Sequence, residues 1–301
     1  MKKIQINNLL VAVALILSLG ACKKEFVDVS PKGQFLTANY YADATQAYGG
    51  LVGVYDAIRK NSGGFENMIT MMNAGSDDHF AGGGGATDGA GIQAFSNHTL
   101  TALNVPGSFW SDHYQGIFRA NTLLQKLPTT TMDATLKARF AAESKALRAL
   151  YYFNLVRMFK NIPLITEPVS AASMYKVKQT TSDSVYAQIE KDLNEAIATL
   201  PTTVSVTTEA GRFTKGAAKA LLGKVLLFEN KGALAAAQLA DVNGATPGSA
   251  SSYGYKLLSN FSDLWVTNNK FNSESILEVG HSSAGNSDWG WWGSGRDEGI
   301  Q

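Results

Sequence analysis

The sequence has a single cysteine, so no disulfide can form within the chain. Its formal net charge is only +1, which provides no basic surface for nucleic acid. The histidines are too scattered for metal-ligand spacing, so neither a metal site nor a cofactor is predicted. No glycine-rich phosphate loop follows a strand pattern, and no nucleophile-elbow motif is present. The four histidines are His79, His98, His113 and His281.

The longest apolar run, residues 9–19, is too short for a comfortable transmembrane helix. It follows two lysines and ends in Leu19-Gly20-Ala21-Cys22, the pattern of a lipobox. Residues 1–21 are therefore predicted to be a lipoprotein signal peptide, with Cys22 as the acylated residue. Residues 22–40 then form a lipid-anchored tether. The alternative is an ordinary secretory signal followed by an incidental cysteine.

Two amphipathic segments lie between residues 109 and 165. In each, large side chains recur at steps of three and four, which places them on one face of a helix. The first face is Trp110, Tyr114, Ile117, Asn121 and Leu124, and the second is Phe140, Leu147, Tyr151, Leu155 and Met158. We expect two helices packed antiparallel, the second ending at Asn161 before Pro163.

Further helices are predicted on both sides of this pair. One covers residues 43–60, where Gly49, Gly50 and Gly53 permit a close neighbour. Another is opened by a capping box of Thr180 and Asp183 and ends at Pro201. A third begins near Gly216, presents small residues to a neighbouring helix and stops at Gly232. A short strand is expected at residues 276–279.

The two central segments also carry a family resemblance. The motifs are Phe-Trp…Tyr…Ile…Arg-Ala-Asn, then Ala-Glu…Leu-Arg-Ala…Tyr-Tyr-Phe…Leu-Val-Arg, then Pro-Leu-Ile. With Arg-Phe-Thr-Lys-Gly-Ala-Ala-Lys-Ala-Leu-Leu at residues 212–222 and a third block at residues 255–279, the chain resembles the SusD/RagB family. Its members are lipid-anchored, surface-exposed nutrient-binding proteins of Bacteroidetes, mostly glycan binders. The chain departs from the pattern at Phe159-Lys160-Asn161, where the family more often has glycine before the proline.

The resemblance implies a mostly α fold with little β: a scaffold of helical pairs, tetratricopeptide-like, that carries long loops. Residues 41–301 would form this SusD-like domain, incomplete at its C-terminus because family members are longer. The repeat consensus itself is not visible, so periodicity alone supports only helical pairs. The arginines at positions that match the family motif, Arg119 and Arg148, are expected to hold neighbouring loops or helix ends; the alternative is ligand contact.

Ligand-binding residues are expected in two glycine-rich stretches. Residues 73–98 read as one long loop with four consecutive glycines. Its carboxylates and amide would bond sugar hydroxyls, and its rings would stack on pyranose faces; the alternative is a surface loop with solvated carboxylates. The candidates there are Asp77, Asp78, His79, Phe80, Phe95 and Asn97. In the second stretch, Trp289, Trp291 and Trp292 either form a stacking platform or pack beneath further polypeptide.

The resemblance implies a function without catalysis. The protein would capture oligosaccharide at the cell surface and deliver it to a SusC-like TonB-dependent transporter in the outer membrane. Capture of peptide or another nutrient by the same scaffold is the second hypothesis. A lipoprotein glycosidase is the third, but Asp77 and Asp78 are adjacent and no second positioned acid is evident.

Overall fold

A computed structural model of the chain describes residues 40–59, 67–85, 87–246 and 248–280. Within these residues the fold is mostly helical. The helices are α1 Ala44–Arg59, α2 Met68–Ala74, α3 Ala90–Ser96, α4 Gly107–Lys126, α5 Ala134–Phe159, α6 Ser182–Thr199, α7 Lys215–Phe228 and α8 Gly232–Asn243. Two short strands, β1 Ile162–Pro163 and β2 Gln179–Thr180, pair antiparallel between α5 and α6. Short 3-10 turns cover Leu127–Thr129, Met174–Lys176, Phe261–Trp265 and Thr267–Asn269.

Helix α5 is the centre of the array. It packs against α4 and α6, and it also contacts α1 and α7. The ring centroids of Trp110 and Phe159 lie 5.2 Å apart at one end of the α4–α5 seam. Further along, Arg148 donates a hydrogen bond to Asn121 at 2.7 Å. Residue numbers therefore rise along α4 as they fall along α5, which confirms the predicted antiparallel pair.

The buried faces agree with the helical periodicity. On α5 the side chains of Phe140, Leu147, Tyr151 and Leu155 are all buried. On α4 the most buried line is displaced by about one position from the predicted face and runs through His113, Gly116 and Ala120. The displacement follows from Gly116, which lets the ring of Tyr151 lie directly against the α4 backbone.

Two of the glycines predicted to permit a close neighbour have one. Gly223 of α7 lies under Leu239 of α8, where an added Cβ would come within 2.6 Å of the leucine side chain. Gly50 of α1 lies under the ring of Tyr41 in the same way. Each glycine thus leaves room for a large side chain to lie directly on its helix.

Two predicted helix boundaries are wrong. Helix α6 is capped by Thr181, whose side chain accepts a hydrogen bond from the Ser184 amide, whereas Thr180 belongs to β2. Gly232 does not stop α7 but begins α8. The turn between these helices is made instead by Asn230 at φ 60°, a left-handed conformation that asparagine tolerates better than most residues.

Lys160 stands where the resemblance led us to expect glycine, and it adopts a left-handed backbone conformation. The helix α5 ends at Phe159, and Lys160 follows at φ 63° while its amide donates to the Val156 carbonyl at 2.9 Å. A side chain is strained in this region, where glycine is not. The left-handed turn lies outside α5, and β1 begins two residues after Lys160.

Two further predictions need correction. Residues 73–98 are not one loop, because α3 forms within them and buries Ile92 and Phe95 against α2 and α4. Residues 276–279 form no strand; this part of the chain is held by side-chain hydrogen bonds, such as the one the Glu278 carboxylate accepts from the Phe271 amide at 2.8 Å.

Candidate functional site

The loop at residues 75–89 joins α2 to α3 and carries four of the predicted ligand-binding residues. Asp77, Asp78, His79 and Phe80 are all exposed, and the Phe80 side chain is 82% exposed. Exposed carboxylates can accept hydrogen bonds from hydroxyl groups, and an exposed ring can stack on an apolar face. The structure brings these four groups together on one surface segment.

The other two candidates in this region differ from each other. Asn97 follows α3 and is exposed. Phe95 is only 8% exposed, and its ring centroid lies 5.8 Å from that of Phe109. Phe95 therefore packs beneath the loop, whereas Asn97 lies at its edge.

The loop is held by its own hydrogen bonds. The Gly84 amide donates to the Asp88 carboxylate at 2.8 Å, and the Gln93 side chain donates to the Gly82 carbonyl. Gly82 and Gly83 have φ angles of 57° and 99°, which favour glycine over any residue with a side chain. The glycine run thus provides a defined turn that presents Phe80.

Beneath the loop lies a small apolar cluster, which we call the loop base. Its buried members are Met71, Ala74, Ile92, Phe95 and Phe109, and Met158 and Phe159 pack against them. Phe109 is in the first turn of α4, and Phe159 is the last residue of α5. The loop therefore rests on one end of the α4–α5 pair.

His113 lies one turn below the loop base and is 3% exposed. Its Nδ1 is 2.6 Å from the Phe109 carbonyl oxygen, and its Nε2 is 3.1 Å from the Asn154 side-chain nitrogen. Arg157 donates to the Asn154 side-chain oxygen at 2.6 Å. Burial lowers the pKa of His113 below its ordinary value of 6.5. His113 is therefore a structural residue that joins α4 to α5.

The two motif arginines bind neighbouring elements, as predicted. Arg148 forms two hydrogen bonds to Asp192 of α6, at 2.8 and 2.7 Å, and a third at 3.1 Å to the Thr166 carbonyl. Arg119 donates to the Gly53 carbonyl at 2.7 Å and to Asp56 at 2.9 Å. Arg148 thus joins α5, α6 and the following loop, and Arg119 joins α4 to α1.

Glu143 is a buried polar centre that sequence reasoning missed. Its carboxylate is fully buried and accepts hydrogen bonds from Tyr55, Arg139 and Arg212 at 2.6 to 3.1 Å. Burial, and then the nearby Glu143 charge, raises the pKa of the Tyr55 hydroxyl well above its ordinary value. The available signal was the glutamate within the apolar Phe-Ala-Ala-Glu-Ser run of α5.

Two of the clefts in the described residues lie beside the central helices. The larger, about 790 Å³, lies between α4 and α6 over α5 and has no aromatic side chain in its lining. The smaller, about 240 Å³, lies beside α1 and is lined by Tyr48, Tyr55 and Arg212, among others. The clefts found in the described residues include none lined by the loop at residues 75–89, so the candidate residues there lie on an open surface.

An exposed aromatic pair outside the loop at residues 75–89 was not predicted. Phe261 and Trp265 are each 74% exposed, and their rings meet edge to face with centroids 6.0 Å apart. They lie in a polar stretch without helical periodicity, so the sequence offered no signal beyond residue type. Exposed paired rings can stack on an apolar surface of a ligand or partner.

The remaining predicted sites fall outside the described residues: Cys22, Trp289, Trp291 and Trp292. Where the structure describes the chain, no three potential metal ligands lie together. In the same part of the chain, no helix has the length and apolarity needed to cross a bilayer.

The family is decided by a sequence match. A family model described as "Starch-binding associating with outer membrane" matches residues 26–227, more than half of the chain. The chain belongs to the SusD-like family. Two SusD-like relatives, from Formosa agariphila and Bacteroides ovatus, are 24% and 26% identical to it. Each match covers 91% of this chain but only 52% and 49% of the relative, so the chain spans about half the length of these relatives.

Solved structures agree with this assignment. A laminarin-binding SusD-like protein is 60% identical, with a TM-score of 0.81, over 85% of this chain and 55% of that protein. Surface glycan-binding protein A from Bacteroides thetaiotaomicron, solved with laminarihexaose, is 20% identical with a TM-score of 0.69. The latter match covers 80% of this SusD-like chain and 50% of the other, and at that identity it supports the fold alone. The mostly helical, paired-helix fold predicted from the sequence is confirmed.

Proposed function

We propose that this SusD-like protein captures a laminarin-type glycan and releases it unaltered. The observation that carries the proposal is the 60% identity to a laminarin-binding SusD-like protein over 85% of this chain. The family description, which refers to starch binding rather than to hydrolysis, supports binding without bond cleavage.

The loop at residues 75–89 is the proposed contact surface. Asp77, Asp78 and His79 would bond sugar hydroxyls, and Phe80 would stack on a pyranose face. Asn97 would extend the polar edge, while Phe95 would support the surface from below. Trp289, Trp291 and Trp292 are proposed as a second stacking platform. The packed loop base supports this assignment because a rigid site loses less entropy on binding.

Phe80→Ala is expected to weaken binding of laminarin oligosaccharides about tenfold, because a buried aromatic contact at a binding site is worth more than about 1 kcal/mol. Isothermal titration calorimetry measures this change. Tyr175→Ala is the matched control, because Tyr175 is 89% exposed and lies in the connection between α5 and α6. Equal affinity in both variants would remove Phe80 from the site.

The same titration separates the other hypotheses. Binding of peptides with no binding of laminarin or starch oligosaccharides would favour peptide capture. Release of reducing sugar on prolonged incubation would indicate a glycosidase. Tight laminarin binding without sugar release is the result expected for capture.

We further propose that acylated Cys22 holds the protein on the outer face of the outer membrane, where it delivers glycan to a SusC-like TonB-dependent transporter. The family's association with the outer membrane supports this location. A large β-barrel is expected to co-purify from detergent-solubilised membranes with the wild type. The Cys22→Ser variant should be lost from the membrane fraction, because it lacks the thiol that carries the lipid. Stable anchoring needs at least two acyl chains. Intact protein that purifies without a barrel would contradict the partnership.

A further inference from the structure

We propose that His113, Asn154 and Arg157 form a pH-sensitive network that keeps the candidate loop closed on its base, and that protonation of His113 loosens it. The effect on ligand binding rests on the proposed function. The loosening itself does not, because it is measurable in the ligand-free protein.

The network permits only one neutral form of His113. The Phe109 carbonyl can only accept a hydrogen bond, so Nδ1 at 2.6 Å must carry the proton. Arg157 can only donate, so the Asn154 oxygen must face it and the Asn154 amide group must face the histidine. Nε2 is therefore an unprotonated acceptor. Arg157 thus determines the His113 tautomer through Asn154.

A second proton on His113 has no acceptor in this arrangement. It would be added at Nε2, where the Asn154 amide already donates, so two donors would face each other in a buried site. Of the charged groups that act on the ring, Arg157 of α5 disfavours the added charge and Asp112 of α4 favours it. The Tyr151 ring meets it edge to face at 6.1 Å and remains neutral, because burial raises the pKa of its hydroxyl.

The sign of the pH effect follows from burial. The folded protein lowers the pKa of His113 below 6.5, so the closed form binds the proton less readily than an opened form does. The contribution of the network is therefore fully present above about pH 6.5 and decreases as the pH falls below that value.

The network is coupled to the loop through Phe109. The carbonyl of this residue binds His113, while its ring packs on Phe95 of α3 within the loop base. The His113–Asn154 bond also closes the α4–α5 seam directly below Phe159, which packs against the same base. Opening of the seam would therefore release α3 and, with it, the segment that presents Phe80.

Amide hydrogen exchange of the ligand-free protein tests the proposal. After correction for intrinsic rates, opening of α3 and residues 75–89 should increase between pH 7.5 and pH 5.5, by up to about tenfold, because an opened histidine with pKa 6.5 binds a proton at the lower pH and the closed form binds it less readily. Long-range ¹H–¹⁵N spectra should show His113 protonated on Nδ1 at pH 7.5. The helix α7 serves as the internal reference and should show no such change.

Two variants separate this network from general acid destabilisation. Asn154→Asp offers Nε2–H a carboxylate that also retains the Arg157 bond, so loop opening at pH 5.5 should return to the level seen at pH 7.5. His113→Gln should abolish the pH response. His79→Gln and His98→Asn remove the exposed histidines near the loop and should preserve it.

An unchanged opening rate in the wild type, or a response that persists in His113→Gln, would overturn the proposal. A proton on Nε2 at pH 7.5 would also do so, even if both variants fold poorly. Failure of laminarin to bind would count against the proposed function and leave these measurements interpretable.

Discussion

Arg148→Met is expected to lower the free energy of unfolding by about 3–5 kcal/mol, because it leaves the Asp192 carboxylate buried without its charged partner. Arg148 and Asp192 are almost fully buried, and their two hydrogen bonds join α5 to α6. The substitution also removes the hydrogen bonds that Arg148 donates to the Asn121 side-chain oxygen and to the Thr166 carbonyl. Urea unfolding followed by circular dichroism measures the change.

Lys145→Met is the matched control on the same pair of helices. Lys145 pairs with Glu195 of α6 at 2.6 Å, less than one turn of α5 from Arg148, but both side chains are substantially exposed. Exposed ion pairs contribute about 0–1 kcal/mol because water already solvates both charges. If both variants lowered the free energy of unfolding by similar amounts, burial of the Arg148–Asp192 pair would not increase its contribution to stability.

The long helices could be predicted because their patterns repeat. The α5 face from Phe140 to Leu155 appears at regular steps, and the structure buries it as expected. Gly116 shifted the buried face of α4, because its lack of a side chain leaves room for the Tyr151 ring. A hydropathy pattern does not show such a space. Polar residues on a buried face, such as Glu143, carry information of another kind: their partners lie far apart in sequence.

Helix ends were harder to predict because each depends on one or two residues. Thr180 and Thr181 offer the same side chain, and only the pairing of β2 with β1 determines which one caps α6. Asn230 and Gly232 can both adopt a left-handed turn, and the structure uses Asn230. When two nearby residues can both end a helix, tertiary contacts decide which one does, and the sequence does not show those contacts.

The candidate site was predicted by residue type and only partly by arrangement. Residues 77–80 are exposed, as expected for a loop. Phe95 is buried instead, because it lies on α3 and packs in the loop base. A seven-residue helix rich in alanine and glycine has little intrinsic signal, and its stability comes from the loop base. Separating surface groups from supporting groups therefore required the packing of α3 on α4.

Gly116→Val is expected to lower the free energy of unfolding by about 3 kcal/mol, because overpacking at a helix seam forces the helices apart. A Cβ at this position would lie 2.5 Å from the Tyr151 ring and 2.9 Å from the Ala57 side chain. The ring cannot swing away without breaking the hydrogen bond from its hydroxyl to the Val54 carbonyl. Thermal and urea unfolding measure the loss.

Gly107→Ala is the control within the same helix. No atom lies within 4 Å of a Cβ built at Gly107, and alanine favours helix over glycine, so stability should be unchanged or slightly raised. Both variants add side-chain atoms to a glycine of α4, so a large difference between them reports mainly the crowding against Tyr151 and Ala57. If Gly116→Val unfolded like the wild type, α1, α4 and α5 could not meet as closely as the Tyr151–Val54 bond requires.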